Sequence, residues 1–245
     1  MSSIKTDAVV LRAANFGEGD RMLTLLSPTM GLVSVAAKGC RKATSRLLSA
    51  TELFATGEYM LYEKGGRYTL TAFHPTAQFY PLRTDVDRLS HGVYWLNLCE
   101  AAAQPGEPNP RLFKMLLLSL AVLAFDALPL RALTGVFLMQ FALLQGFAPR
   151  LDACARCGRA PVPPLRFDPE EGGVRCAACM GGGVPLDEST YAWLLEAQAK
   201  GAFVLAGRRA LPLSDDGHAP EIAFQLLRAH VEGRMEKHIL SGKNL

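Results

Sequence analysis

Four of the six cysteines of this chain fall in two C-x-x-C pairs, Cys154/Cys157 and Cys176/Cys179, within the stretch CARCGRAPVPPLRFDPEEGGVRCAACMGGG. A C-x-x-C turn presents two thiolates from one knuckle, and two knuckles supply the four corners of a tetrahedral zinc site. The 18 residues between the pairs suit such a site, and Gly158 and Gly181 ease the tight backbone around it. A redox dithiol needs only one pair, so the doubling predicts one zinc ion per chain, held by Cys154, Cys157, Cys176 and Cys179. Four thiolates close the coordination shell and leave no place for an activated water, which makes the predicted ion structural. The remaining cysteines, Cys40 and Cys99, read as small buried hydrophobes.

No other constellation suggests catalysis, and the chain is expected not to be an enzyme. His230-Val231-Glu232 imitates part of the zinc-deaminase signature, but it follows the cysteines instead of preceding them, and neither pair comes after proline. His74, His91, His218 and His238 are scattered without partner spacing. There is no G-x-x-x-x-G-K-[ST] phosphate loop, no nucleophile elbow and no acidic cluster suited to two metal ions.

Charge supplies a second lead. The net charge of +3 is too small to imply a polyanionic partner, but its placement is uneven. From Gly31 to Ala50 the chain carries Lys38, Arg41, Lys42 and Arg46 and no acidic residue. Such a run is either a solvated loop or a phosphate-binding one.

The elements that must position these residues are legible from periodicity. Up to about residue 80, the segments AVVLR, MLTLLS, LVSVAAKG, LFATGEYMLYE and RYTLTAF read as five strands, enough for a small antiparallel barrel. The longest connection follows the third strand and contains the basic run. From about Pro81 the period becomes helical, in LSHGVYWLNLCEAAA, PRLFKMLLLSLAVLAF and LRALTGVFLMQFALLQ. After the cysteines, LDESTYAWLLEAQ should form a helix capped by Asp187 and ending before Lys200-Gly201. A last amphipathic helix should start at Pro220 and bury Phe224, Leu227, Val231 and Met235. The run MLLLSLAVLAF is too short for a membrane span. MSSIKTDAVVLRA lacks the apolar core of a secretory signal and reads as the first strand of a cytoplasmic protein, a compartment in which paired thiols bind metal more readily than they form disulfides.

The opening TDAVVLRAANFGEGDRMLTLLSPTMGLVSVAAKGCRK, with the SRLLSATELFATGEYMLYEKGG that follows, resembles the RecO family of bacterial recombination and repair proteins, and the resemblance extends over essentially the whole chain. The cysteine module falls where zinc-bearing members of that family carry theirs. The resemblance implies an α+β chain: a five-stranded OB-fold DNA-binding domain over residues 1–80, then an α-helical domain over 81–245 with an inserted zinc knuckle at about 150–183. It further implies binding of single- and double-stranded DNA, annealing of complementary strands, and cooperation with RecR in loading RecA onto DNA coated by single-strand-binding protein, in the bacterial cytoplasm near the nucleoid. An OB-fold binds nucleic acid through a cationic groove with aromatic platforms. Here Lys38, Arg41, Lys42 and Arg46, joined by Arg12, Arg21 and Arg67, are the candidate groove, and Tyr59, Tyr62 and Tyr68 the candidate platforms. A zinc-stabilised protein-interaction scaffold with incidental DNA contact is the competing expectation.

Overall fold

The structure is a computed structural model that describes residues 2–179, 181–207 and 217–235. Among the described residues its Cα packing separates two compact units, residues 2–125 and residues 126–235.

The first unit is built on a closed barrel with strand order β1-β2-β3-β5-β4, from β1 (Ser2–Phe16), β2 (Asp20–Ser27), β3 (Gly31–Ala37), β4 (Thr56–Lys64) and β5 (Arg67–Ala77). All pairings are antiparallel except β3 with β5, where Val35 lies opposite Tyr68. This is the five-stranded OB barrel. Strand β1 is much longer than the apolar AVVLR segment suggests, because it serves two partners. Its first half pairs with β4 from Ser2↔Glu63 to Val9↔Thr56, and its second half with β2 from Val9↔Leu26 to Phe16↔Asp20. A register shift between Val10 and Arg12 bends it between the two.

Alternation along each strand then fills the barrel with Ala8, Val10, Leu23, Leu25, Val33, Val35, Leu61 and Leu70, all fully or nearly fully buried. Each large aliphatic side chain so placed stabilises the fold by roughly 1.5–3 kcal/mol. Tyr59 lies in the same core, at 0% exposure, with its hydroxyl 3.0 Å and 3.2 Å from the carbonyl oxygens of Ala50 and Ala55. Burial pushes its phenol pKa up. Tyr59 is therefore a core residue and not a stacking platform.

Three helices complete this unit: α1 (Pro81–Thr84), α2 (Val86–Ala102) and α3 (Pro110–Phe125). Asp85 caps α2 by accepting from the Arg88 backbone N–H at 3.0 Å. The β2–β3 turn is seated on the α2–α3 connection: Leu32 N donates to Gln104 O at 3.1 Å and Gly106 N to Met30 O at 3.0 Å. Gly31 makes this approach possible, since its φ is +66° and a Cβ there would lie 2.2 Å from Gln104 O.

The second unit contains α4 (Leu130–Gln145), α5 (Glu188–Leu205) and α6 (His218–Arg234), with a three-stranded sheet of order β7-β6-β8 formed by β6 (Leu165–Asp168), β7 (Gly173–Arg175) and β8 (Val184–Leu186). Helix α5 does not stop at Lys200-Gly201. A Cβ at position 201 would lie 2.8 Å from Gln140 Nε2 and 2.9 Å from Val136 Cγ1, so this glycine serves close packing on α4 and not termination. Helix α6 begins two residues before Pro220, which stands in its first turn. It buries Phe224, Leu227 and Val231 as its spacing predicts, while Met235 lies just past its end and is half-buried. Among the described residues no helix is long and apolar enough to cross a membrane.

Candidate nucleic-acid interface and metal centre

The basic run forms a loop of turns between β3 and a short 3-10 turn, Ser49–Thr51. Its shape is fixed from inside and outside. Inside, Cys40 is fully buried in the barrel core and Leu47 packs against the same core. Outside, the loop is tied to the β1–β2 hairpin: Arg41 N donates to Gly19 O at 3.1 Å, and Gly39 N to the Asp20 carboxylate at 2.7 Å. The Arg41 guanidinium donates to the carbonyl oxygens of Gly17 and Glu18 at 3.2 Å and 3.0 Å.

The seven candidate cations consequently differ in what they can offer. Lys38, Lys42 and Arg46 are exposed on the loop, and their side chains have no ion-pair or hydrogen-bond partner among the described residues. Arg41 is exposed but engaged with backbone carbonyls. Arg21 is half-buried and reaches Glu52 at 3.1 Å and the Thr51 hydroxyl at 2.9 Å. Arg12 lies 3.3 Å from Glu100 of α2. Arg67 is exposed at the β4–β5 turn, away from the basic loop in sequence and opposite Lys64 in register. Of the seven candidates, the three unengaged cations of the loop lie within nine residues of one another.

Of the candidate platforms, Tyr62 is 37% exposed and Tyr68 packs partly on the barrel core. The most open aromatic of the barrel strands is one the tyrosine search passes over: Phe16, 63% exposed at the tip of the β1–β2 hairpin. Its signal in the sequence is the single aromatic directly before the glycine-rich turn G-E-G-D.

In the second unit the four cysteines converge. The Sγ atoms of Cys154, Cys157, Cys176 and Cys179 all lie within 4.8 Å of one another, and Cys157 and Cys176 are 3.8 Å apart. Thiolates at the corners of a tetrahedron with metal–sulfur bonds of ~2.3 Å stand about 3.8 Å apart, so the donor set fits such an ion. Each knuckle closes as a turn: Gly158 N donates to Cys154 O at 2.9 Å, and Cys179 N to Cys176 O at 2.9 Å. Gly158, with φ +72°, supplies the left-handed residue of the first.

Strand β7 leads directly into Cys176, and Ala155 N donates to Val174 O at 2.7 Å, so the small sheet sets the spacing of the two knuckles. Burial raises the Cys154 thiol pKa, but the backbone N–H groups of Cys157, Cys176 and Arg156 outweigh it and lower the value to about 6. Hydrogen bonding with the Cys157 side chain and burial push the Cys179 thiol the other way, up to about 12.

The exit from the second knuckle is clamped by Arg175. Its guanidinium is 2.8 Å from the Asp168 carboxylate, is paired with Glu171, and donates to the Gly181 carbonyl. Asp168 in turn accepts from the backbone N–H groups of Glu170 and Glu171, each at 3.0 Å. Of the other arginines in the module, Arg166 donates to the carbonyls of Gly182 and Gly183, while Arg156 and Arg159 are exposed.

His230 is not a metal ligand. It is buried, with Nε2 2.7 Å from Phe147 O and Nδ1 3.1 Å from Pro169 O. His91 is buried, His74 and His218 are exposed, and His238 lies outside the described residues.

Comparison with known proteins identifies the family. Residues 1–79 match the family described as Recombination protein O N terminal, and residues 83–238 match Recombination protein O C terminal. The chain is 37% identical over 245 residues to the DNA repair protein RecO of Anaeromyxobacter sp. (strain K), covering 96% of this chain and 94% of the relative. It is 35% identical over 243 residues to that of Anaeromyxobacter dehalogenans (strain 2CP-C), with the same coverage. Against DNA repair protein RecO of Alkaliphilus metalliredigens (strain QYMF), identity is 34% over 178 residues, 73% of this chain and 72% of the relative. An OB barrel with a cationic loop, a four-cysteine cluster beside a helical trio, and matches that run the length of the sequence agree: this chain belongs to the RecO family of DNA repair proteins.

Proposed function

We propose that the chain is a non-enzymatic DNA-binding mediator that holds single- and double-stranded DNA and anneals complementary strands. The observation that carries this reading is the loop of Lys38, Lys42 and Arg46, exposed, without ion-pair partners, and with no acidic residue from Gly31 to Ala50. Cations so presented neutralise phosphates on two strands and lower the repulsion that slows their pairing. No covalent step is needed. With RecR, the same activity would help load RecA onto DNA coated by single-strand-binding protein, in the bacterial cytoplasm near the nucleoid.

Cys154, Cys157, Cys176 and Cys179 would hold one zinc ion per chain. The ion would cross-link the two knuckles and do no chemistry on a substrate, because four thiolates leave no open position.

Annealing of complementary oligonucleotides by the purified protein, in the absence of nucleotide, tests this function. Acceleration over the spontaneous rate is expected, and an unchanged rate would contradict it. A second reading, a zinc-stabilised protein-interaction scaffold with incidental DNA contact, draws on the engagement of Arg12, Arg21 and Arg41 in contacts within the chain. It predicts no annealing and only a shallow dependence of DNA binding on salt.

A further inference from the structure

Phe16 is the last residue of β1 and pairs with Asp20, the first of β2. Residues directly opposite on neighbouring strands share a face of the sheet. Arg21 pairs with Ala37, so Lys38, the next residue, stands level with Asp20 and hence with Phe16. Two strand spacings, ~10 Å, separate Phe16 from the start of the cationic loop. The intervening contacts hold that distance: Gly39 is bonded to Asp20, and Arg41 to Gly17 and Glu18. An open aromatic therefore stands about two strand spacings from the first of a set of exposed cations, on a backbone tied together by these contacts.

The ring has no aromatic or cationic partner among the described residues and is 63% exposed. Neither packing nor hairpin geometry calls for phenylalanine here. The turn itself is made by Gly17 to Gly19, and the outward side of position 16 would accept any polar residue. What the position does supply is a π-face next to phosphate-binding charge, which is the pairing by which OB-folds hold single strands without reading sequence.

We infer that Phe16 is a base-stacking platform: it stacks on an unpaired base of a single strand whose phosphates lie on Lys38, Lys42 and Arg46. The inference rests on the DNA-binding reading above and adds a preference to it. Double-stranded DNA has no free base face to offer, so Phe16 contributes to single-strand binding alone.

The test measures binding of an oligo(dT) strand, an abasic strand of the same length, and a blunt duplex to wild type, Phe16→Ala and Phe16→Trp. Loss of one stacked base should weaken oligo(dT) binding by Phe16→Ala roughly five- to a hundred-fold. Binding of the abasic strand and of the duplex, and the salt slope for each, should match wild type. Phe16→Trp should retain oligo(dT) affinity and add a fluorescence signal quenched by oligo(dT) but not by the abasic strand. Wild-type oligo(dT) affinity in Phe16→Ala, or an unquenched Phe16→Trp, would overturn the platform while leaving the cationic loop intact. Absence of binding by wild type to all three would instead remove the DNA-binding reading, and the platform with it.

Discussion

The Arg41 guanidinium lies 3.0 Å from the carbonyl oxygen of Glu18, joining the middle of the basic loop to the tip of the neighbouring hairpin. Arg41 therefore shapes the cationic surface more than it adds to it. In the proposed function phosphate contacts would fall to Lys38, Lys42 and Arg46, which are exposed on the joined loop. Arg41→Ala should lower unfolding stability by about 0.5–1.5 kcal/mol, the net worth of lost hydrogen bonds. Lys42→Ala, which breaks no such contact, should change it by less than about 0.5 kcal/mol. Urea titrations of the two variants check this, and equal losses would contradict the division of roles.

Metal analysis of the purified chain should give one zinc ion per chain. Prolonged treatment with a chelator should remove it and loosen the cysteine module, because the folding of such a module is bound up with its ion. The barrel, stabilised by its own core, should survive, so far-ultraviolet circular dichroism should report most of the strand signal intact. Cys154→Ser should abolish full occupancy. Undiminished zinc in that variant would refute the ligand assignment.

Arg175 is the buried partner of Asp168 and the donor to Gly181 at the exit of the second knuckle. Removing Arg175 takes the cation from the Asp168 carboxylate and leaves it to the backbone N–H groups of Glu170 and Glu171. Arg175→Ala should therefore release zinc to a competing chelator much faster than wild type. Arg175→Ala combined with Asp168→Ala should recover part of the loss, because the uncompensated carboxylate is gone. A competition assay with a chromophoric chelator separates the three proteins, and wild-type release from Arg175→Ala would count against the clamp.

Asp187 caps α5 by accepting from Thr190 N at 2.8 Å and from the hydroxyls of Ser189 and Thr190. Burial raises its pKa, but these donors win and hold the carboxyl down to about 2. An unfolded aspartate titrates near ~3.9. The depressed folded value means that the cap's contribution is complete above that pH and is lost as pH falls towards 2. Asp187→Ala should cost about 1 kcal/mol at pH 7. The gap from wild type should narrow between pH 4.5 and pH 2.5, as followed by urea unfolding, and Asp187→Asn should keep most of the cap without that pH dependence. A gap that stays constant with pH would contradict the assignment.

What the sequence discloses follows the range of the interactions. The helices α3 and α4 are legible to the residue, because each is an apolar run bounded by proline or glycine. The four-cysteine cluster is legible because a knuckle is a local object of four residues, and two of them need only be brought together. Strand β1 is half hidden, since its polar ends are extended by pairing with β4 and β2 and not by their own composition.

The β6–β8 sheet is missed altogether. Its strands are three or four residues long, and β8 contains Pro185, so no period can show. Gly201 imitates a helix stop because close packing and chain termination select the same residue. Charge counting cannot see that Arg12 and Arg21 pair with Glu100 and Glu52, which come from other elements. The exposure of Phe16 is equally hidden, because it is a property of the hairpin and not of the residue type.

The central claim is that the loop after β3 holds DNA through Lys38, Lys42 and Arg46. It is tested most directly by the salt dependence of single-strand binding in Lys38→Ala/Lys42→Ala/Arg46→Ala, with Arg41 retained to keep the loop in shape. Each single-strand phosphate contact contributes about 0.7 to the slope of log affinity against log salt, so losing three should lower it by about 2. Affinity should fall for every sequence alike, because phosphates carry no base information. The three side chains are exposed and unengaged, so unfolding stability should be unchanged. A stably folded triple variant with wild-type affinity and wild-type salt slope would show that the loop is only solvated charge and would contradict the account.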